Sequence, residues 1–239
     1  RTELVMTSLV GDVYPRVAEQ ALLPNARRGQ VFVDHSTVPA PETRRLAAGL
    51  AAKRAVAIDA PVSGWYTGAA AGTLAVFIGG DRATVDACRP LFEVIGNPDR
   101  IIYGGPAGMG QVMKVVQQLQ NRLLDAARME AMAFGVRDGL SLEEVLHVLN
   151  VDPAGDDGYA GLYRRIVAGE SDQVSLLYGE WAYYLAEATE KGIPMPVLES
   201  LYAFCEPAER VSHDEQGRPT PDLWRELMDR CGPALRGNQ

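Results

Sequence analysis

The 239-residue sequence predicts an α/β region followed by an all-α region, the two joined by one long helix. Three observations carry this. Short apolar runs alternate with helical stretches from the start to about residue 103, the pattern of a sheet with crossover helices. Beyond Gly110 the strand pattern stops and only helical periodicity continues. Gly and Pro gather between the two regimes, at Gly104, Gly105, Pro106 and Gly108, which puts a boundary near Gly104 to Gly108 and domains over 1–105 and 106–239.

The first run, ELVMTSLV, is apolar and β-rich almost at once. Arg1 is neither Met nor a small residue left by Met removal, so it reads as an internal cut, with the chain starting inside a sheet. A helix over 11–23 follows, then a strand in QVFVDHS, a helix over 40–53, and strands in AVAIDAPV and TLAVFIGG. The next helix, 82–94, opens on Asp81 as N-cap and closes at Gly96-Asn97-Pro98, residues that stop helices. RIIYGG is the last strand. The long helix then runs to about 137, and shorter ones cover 141–150, 158–168, 174–191, 196–211 and 220–231. Gly139, Pro153, Gly192-Ile193-Pro194 and Pro219 separate them, and the tail GPALRGNQ frays.

A net charge of −8, spread along the chain, repels phosphate backbones and anionic membranes, so nucleic acid is an unexpected partner. Cys88, Cys205 and Cys231 are odd in number, far apart and without CxxC spacing, which argues against a disulfide framework and a zinc site. No apolar run approaches the roughly 20 residues that span a bilayer, and the first residues lack a signal-peptide layout. The expectation is a soluble cytoplasmic protein. His35, His147 and His213 lack ligand-spaced partners, so no metal site is expected. Trp181, Tyr183 and Tyr184 read as core or dimer packing in preference to a substrate cage.

The long helix is apolar around much of its circumference, through Val112, Val115, Val116, Leu119, Leu123, Ala126, Ala127 and Met129, and reads as buried. Lys114, Gln117, Gln118 and Asn121 nevertheless recur at spacings of three and four, stacking on one face. Either the stripe faces solvent, or it lines a cleft in which a desolvated lysine exchanges a proton near neutrality. Spacing leaves both open.

Three segments carry a resemblance. DAPVSGWYTGAAAGTLAVFIGG, residues 59–80, is similar to the substrate-binding signature DAPVSGGxxGAxxGTL of the β-hydroxyacid dehydrogenases. GMGQVMKVVQQ at 108–118 resembles that family's GxGxxxKxxNN, and VFVDHSTVPA at 31–40 resembles its strand ending in D-x-S-T. The three stand in the family's order with fitting separations, and the likeness covers about residues 3 to 205. The family includes 3-hydroxyisobutyrate dehydrogenases and tartronate semialdehyde reductases and lies in the 6-phosphogluconate dehydrogenase superfamily. The resemblance implies an incomplete Rossmann-type sheet joined by an interdomain helix to an all-α dimerisation and substrate domain. It also implies hydride transfer between NAD or NADP and a small β-hydroxyacid or its semialdehyde.

Lys114 would then accept the proton of the substrate hydroxyl. Ser63 and Gly64, in a turn, would hold the substrate carboxylate, with Trp65, Gln117, Gln118 and Asn121 beside it. Leu9 and Val10, after the first strand, and Ser36 and Thr37, at the carboxyl end of another, would touch the cofactor. The ordinary alternative for Ser36 and Thr37 is helix N-capping. Gly108 and Gly110 allow close backbone approach, or form a hinge. A homodimer or higher homo-oligomer is the expected assembly.

The departures bear on substrate and cofactor. Trp65 replaces the second glycine of the SGG turn, adding an indole beside the carboxylate site. Gln117 and Gln118 replace two asparagines and are each one methylene longer. A Lys-Asp pair of a later helix falls at Gly179-Glu180. No G-x-G-x-x-G follows a strand, so the start of the dinucleotide-binding domain reads as absent, the preference between NAD and NADP is unreadable, and the fragment is expected to be inactive by itself. Two other readings compete: a non-catalytic dimerisation scaffold, and an imine reductase-like enzyme. The truncation and the lost lysine of the later helix favour the scaffold, while Lys114 counts against both.

Overall fold

The computed structural model describes residues 3–10, 13–169 and 178–211, with Leu227, Arg230 and Cys231. The chain folds as two compact units, Arg1–Gln118 and Leu119–Gln239.

The first unit is a sheet with helices on both faces. Strands β1 (Leu4–Thr7), β2 (Val31–Asp34) and β3 (Val56–Asp59) run parallel, with Val5 opposite Phe32 and Phe32 opposite Ala57. After β3 the chain continues into the short β4 (Val62–Ser63), and both pair antiparallel with β5 (Leu74–Gly80), Ile58 facing Gly80 and Ser63 facing Ala75. β6 (Gly96–Gly105) pairs parallel to β5. β5 is buried along its whole length, as its unbroken apolar run LAVFI requires of a strand covered on both faces.

Period-two alternation assigns each face its core. Val33, Ile58, Val76 and Ile78 pack with Val85, Cys88 and Phe92 of α5 (Arg82–Ile95). On the other face Phe32 packs with Tyr14 of α1 (Tyr14–Val17), Ala18 of the π-helical turn Ala18–Leu22, and Leu46 and Leu50 of α3 (Ala40–Ala52). Each fully buried Leu, Ile or Phe contributes about 1.5–3 kcal/mol. Helix α2 (Leu23–Asn25) extends the first helical stretch two residues past the expected 23. Asp81 caps α5 as expected, its carboxylate accepting from the Thr84 amide at 2.9 Å.

Three features differ from the sequence reading. Gly96-Asn97-Pro98 ends α5 but also begins β6, because the chain enters the sheet directly and pairs Gly96 with Leu74. The stretch after Ser63 is not only a turn: α4 (Trp65–Ala71) forms there and stops at Gly72, which adopts φ +65°. Its run GAAAG has no period-two or amphipathic signature to announce it. Third, Val116 and Ala127 on the long helix α6 (Met109–Arg137) are exposed, so its apolar ring is only partly covered within this chain.

The division between units falls inside α6. The second unit contains the remainder of α6, α7 (Leu142–Val148), α8 (Gly158–Ala168), α9 (Tyr178–Glu190) and α10 (Pro196–Val211). Ser141 and Glu144 form a capping box at α7, and Asp157 caps α8. Trp181 is 1% exposed and Tyr184 is also buried, so both pack in the core of a single chain. Residues 174–177 and most of 220–231, read as helix from the sequence, lie outside the described residues, as does His213. Among the described residues no helix is long and apolar enough to cross a membrane, and no group of His, Cys, Asp and Glu could hold a metal ion.

Candidate functional site

The site grows from Asp59, the last residue of β3 and the first of the DAPVSG segment. Its carboxylate is 1% exposed and accepts from the Gly108 amide at 2.7 Å and the Gln111 amide at 3.1 Å. One buried acid thus anchors the first turn of α6, where helical amides lack partners of their own. Burial pushes the Asp59 carboxyl above its usual range, while the amides of Gly108, Gln111 and Gly110 pull it down.

This anchoring needs close approach. A Cβ on Gly110 would lie 2.4 Å from the Phe77 carbonyl oxygen and 2.7 Å from Asp59 Oδ2, and one on Gly79 would meet Asp59 Oδ1 at 2.6 Å. Gly108 adopts φ +90° and sits against Arg44 and the Ala40 carbonyl. Close packing therefore accounts for Gly108 and Gly110 without a hinge.

Lys114 follows Gln111 by one helical turn and is 8% exposed. Gln118 is equally buried and Gln117 half-buried, so this end of the polar stripe does not face solvent. Gln117 Nε2 donates to Ser63 Oγ at 2.9 Å, joining the two segments that sequence spacing could only place 54 positions apart. Asn121 is exposed and falls in the second unit. Gly64 adopts φ +143°, a region open to glycine, and a Cβ there would meet Leu74 Cδ2 at 2.9 Å. Trp65 then takes φ +57° and is 54% exposed. A non-glycine residue in the left-handed region costs about 1–2 kcal/mol.

The carboxyl ends of β1 and β2 hold a second polar group. Asp34 Oδ1 accepts from Thr7 Oγ1 at 2.8 Å and from Ser36 Oγ at 2.6 Å, and Ser36 Oγ accepts from the Leu9 amide at 2.8 Å. Ser36 is buried and its hydroxyl ties the loop after β1 to the loop after β2. It does not cap a helix, since the N-cap of α3 is Pro39. Thr37 is half-buried and Val10 exposed.

These loops are the part of the first unit that could hold a dinucleotide. They lie at the carboxyl ends of parallel strands, where open α/β sheets bind such ligands. Glu42 Oε2, in the first turn of α3, and Asp34 Oδ2 are buried without a hydrogen-bond partner, while the Thr43 hydroxyl interacts with the Tyr14 phenol. A buried carboxylate oxygen left open at the end of β2 suits a group that donates, as a carboxamide nitrogen does. Burial first, and then the Asp34 carboxylate, push the Tyr14 phenol far up, so it stays protonated.

Sequence reasoning missed two residues, Asp59 as the anchor of α6 and Gln111 as a buried bridge. Both lie inside recognised segments, but their partners are 49 to 75 positions away and no periodicity points to them.

Comparison with known proteins adds to this geometry. Residues 2–105 match the NAD binding domain of 6-phosphogluconate dehydrogenase. An uncharacterised oxidoreductase of Bacillus subtilis is 32% identical over 210 residues, covering 83% of this chain and 72% of that protein. An NAD-dependent L-serine dehydrogenase of Pseudomonas aeruginosa is 35% identical over 58% of this chain, which spans only 46% of that enzyme's length. The solved structure of Mycobacterium tuberculosis 3-hydroxyisobutyrate dehydrogenase with L-serine superposes with a TM-score of 0.76 at 26% identity, covering 94% of this chain and 79% of that one.

Proposed function

Because the chain belongs to the β-hydroxyacid dehydrogenase family of the 6-phosphogluconate dehydrogenase superfamily, we propose that it oxidises a small β-hydroxyacid, or reduces the semialdehyde, with NAD or NADP. Lys114 is the proton-transfer residue of this reading. The observation that carries it is the Gln117–Ser63 hydrogen bond, with buried Lys114 one turn before Gln117 on the same helix.

A bound dinucleotide would supply the hydride acceptor for the carbinol carbon. The substrate O–H bond breaks as its proton passes to the Lys114 amine, and the C=O bond forms; in the reductive direction the proton returns from the lysine. Ser63 Oγ, accepting from Gln117, keeps its own hydrogen to donate to the substrate carboxylate, and the Gly64 amide lies beside it. Trp65, Gln118 and Asn121 complete the substrate side of the proposal. On the cofactor side, Leu9, Val10, Ser36 and Thr37 would hold the nicotinamide end of a dinucleotide, and the Ser36 hydroxyl ties their loops together. We assign 1–105 to cofactor binding and 106–239 to substrate binding and dimerisation. A catalytic role explains why a lysine is kept buried one turn before the Gln117 that bonds Ser63, which a scaffold does not require.

The test uses a version of the enzyme with a complete dinucleotide-binding domain: oxidation of a panel of β-hydroxyacids, including 3-hydroxyisobutyrate and L-serine, with NAD⁺ and NADP⁺, followed by nicotinamide absorbance. Turnover of none of them would overturn the proposal. In the same panel Trp65→Gly is expected to raise kcat/KM for short polar acids relative to the native substrate by roughly 1–3 kcal/mol of discrimination. It should also leave stability unchanged or higher, since glycine accepts φ +57° without strain. An unchanged substrate ranking would place the indole outside the pocket.

A homodimer or larger assembly is part of the same reading, supported by the exposure of Phe134 (78%) and Val148 (74%) in the second unit. Light scattering at micromolar concentration is expected to give at least twice the mass of one chain. A single-chain mass would contradict it.

A further inference from the structure

Gln111 is 1% exposed, and every polar group of its side chain is used on one loop. Nε2 donates to the Ser36 carbonyl at 2.8 Å, and Oε1 accepts from the Val38 amide at 3.2 Å. Its own amide donates to Asp59 Oδ2 at 3.1 Å. The carboxamide therefore binds the backbone on both sides of Thr37 to the turn of α6 that leads into Lys114. Buried carboxamides are costly unless fully paired, so the geometry is strongly specified.

We propose that Gln111 is a positioning residue of the proposed hydride-transfer site: it fixes the loop that faces the nicotinamide to the helical turn that bears the proton acceptor. The inference rests on the function proposed above. Hydride and proton leave adjacent atoms of one carbinol, so the hydride acceptor and the Lys114 amine must keep a set separation. Asp59 fixes α6 to the end of β3, and Gln111 fixes the neighbouring β2 loop to α6. Without the carboxamide the loop remains tied to β1 through Ser36 and Leu9 but loses these two bonds to α6.

The test compares wild type with Gln111→Met, which removes both bonds, and Gln111→Glu, which keeps volume and the acceptor for Val38 but sets a carboxylate oxygen against the Ser36 carbonyl. The Glu variant keeps the test open if the Met variant does not fold. With the best substrate of the panel above, kcat is expected to fall about tenfold or more in both, with KM for the dinucleotide changed by less than about twofold. The primary deuterium isotope effect on kcat, read with substrate deuterated at the carbinol carbon, is expected to rise as hydride transfer becomes rate-limiting. Amide exchange at Val38 is expected to quicken in Gln111→Met while that of β5 stays unchanged. Unaltered kcat and isotope effect in variants of an active wild type would overturn the inference alone. A wild type that turns over no member of the panel would overturn the proposed function and this inference with it.

Discussion

In a full-length version of the enzyme, replacing Lys114 by Met is expected to lower kcat by about 10²- to 10⁴-fold, the usual contribution of a positioned acid–base group. Met matches the length of the lysine stem, and the site is buried, so packing is preserved and the folded fraction should not change. KM for the dinucleotide should stay near that of wild type, because the amine acts on the substrate proton and not on the phosphates. Steady-state kinetics with both substrates varied, together with a melting curve, make the measurement. A loss below about fivefold would move proton transfer to another residue, Asn121 being the next polar group of the stripe.

Asp59→Ala is expected to destabilise the first unit by roughly 2–6 kcal/mol, since two buried amides each lose their acceptor at about 1–3 kcal/mol. The effect should have a definite pH dependence. Burial raises the folded carboxyl above 3.8, so the folded state holds this proton more tightly than the unfolded chain. The stability Asp59 contributes is fully present below 3.8 and declines as pH rises through the higher folded value. The gap between wild type and variant should therefore narrow with rising pH. Urea unfolding of both proteins across a pH series measures it; equal midpoints at every pH would show that α6 does not depend on this anchor.

Both variants test residues of recognised segments, yet the segments disclosed them unequally. Lys114 is named by its motif and by the polar stripe in which it recurs with Gln117 and Gln118. Asp59 is the first letter of its motif, but nothing local says that it receives the amides of a helix beginning at Met109. Ser36 is a similar case: its motif suggests ligand contact but says nothing of the bonds its hydroxyl makes with Asp34 and Leu9.

By itself the sequence determined what depends on nearest neighbours along the chain: the alternation that makes β1 to β3 and β5, the cap at Asp81, the helical punctuation, and the family to which three ordered segments belong. Only the tertiary structure decided which polar groups meet. Gln111 reaches Ser36 across 75 positions, Gly108 reaches Asp59 across 49, and Gln117 reaches Ser63 across 54. It also decided that Gly110 must lack a side chain, because Phe77 and Asp59 occupy that space. The physical reason is range: periodicity and capping involve residues within a turn or two, while burial obliges distant polar groups to find one another only after the chain has closed around them.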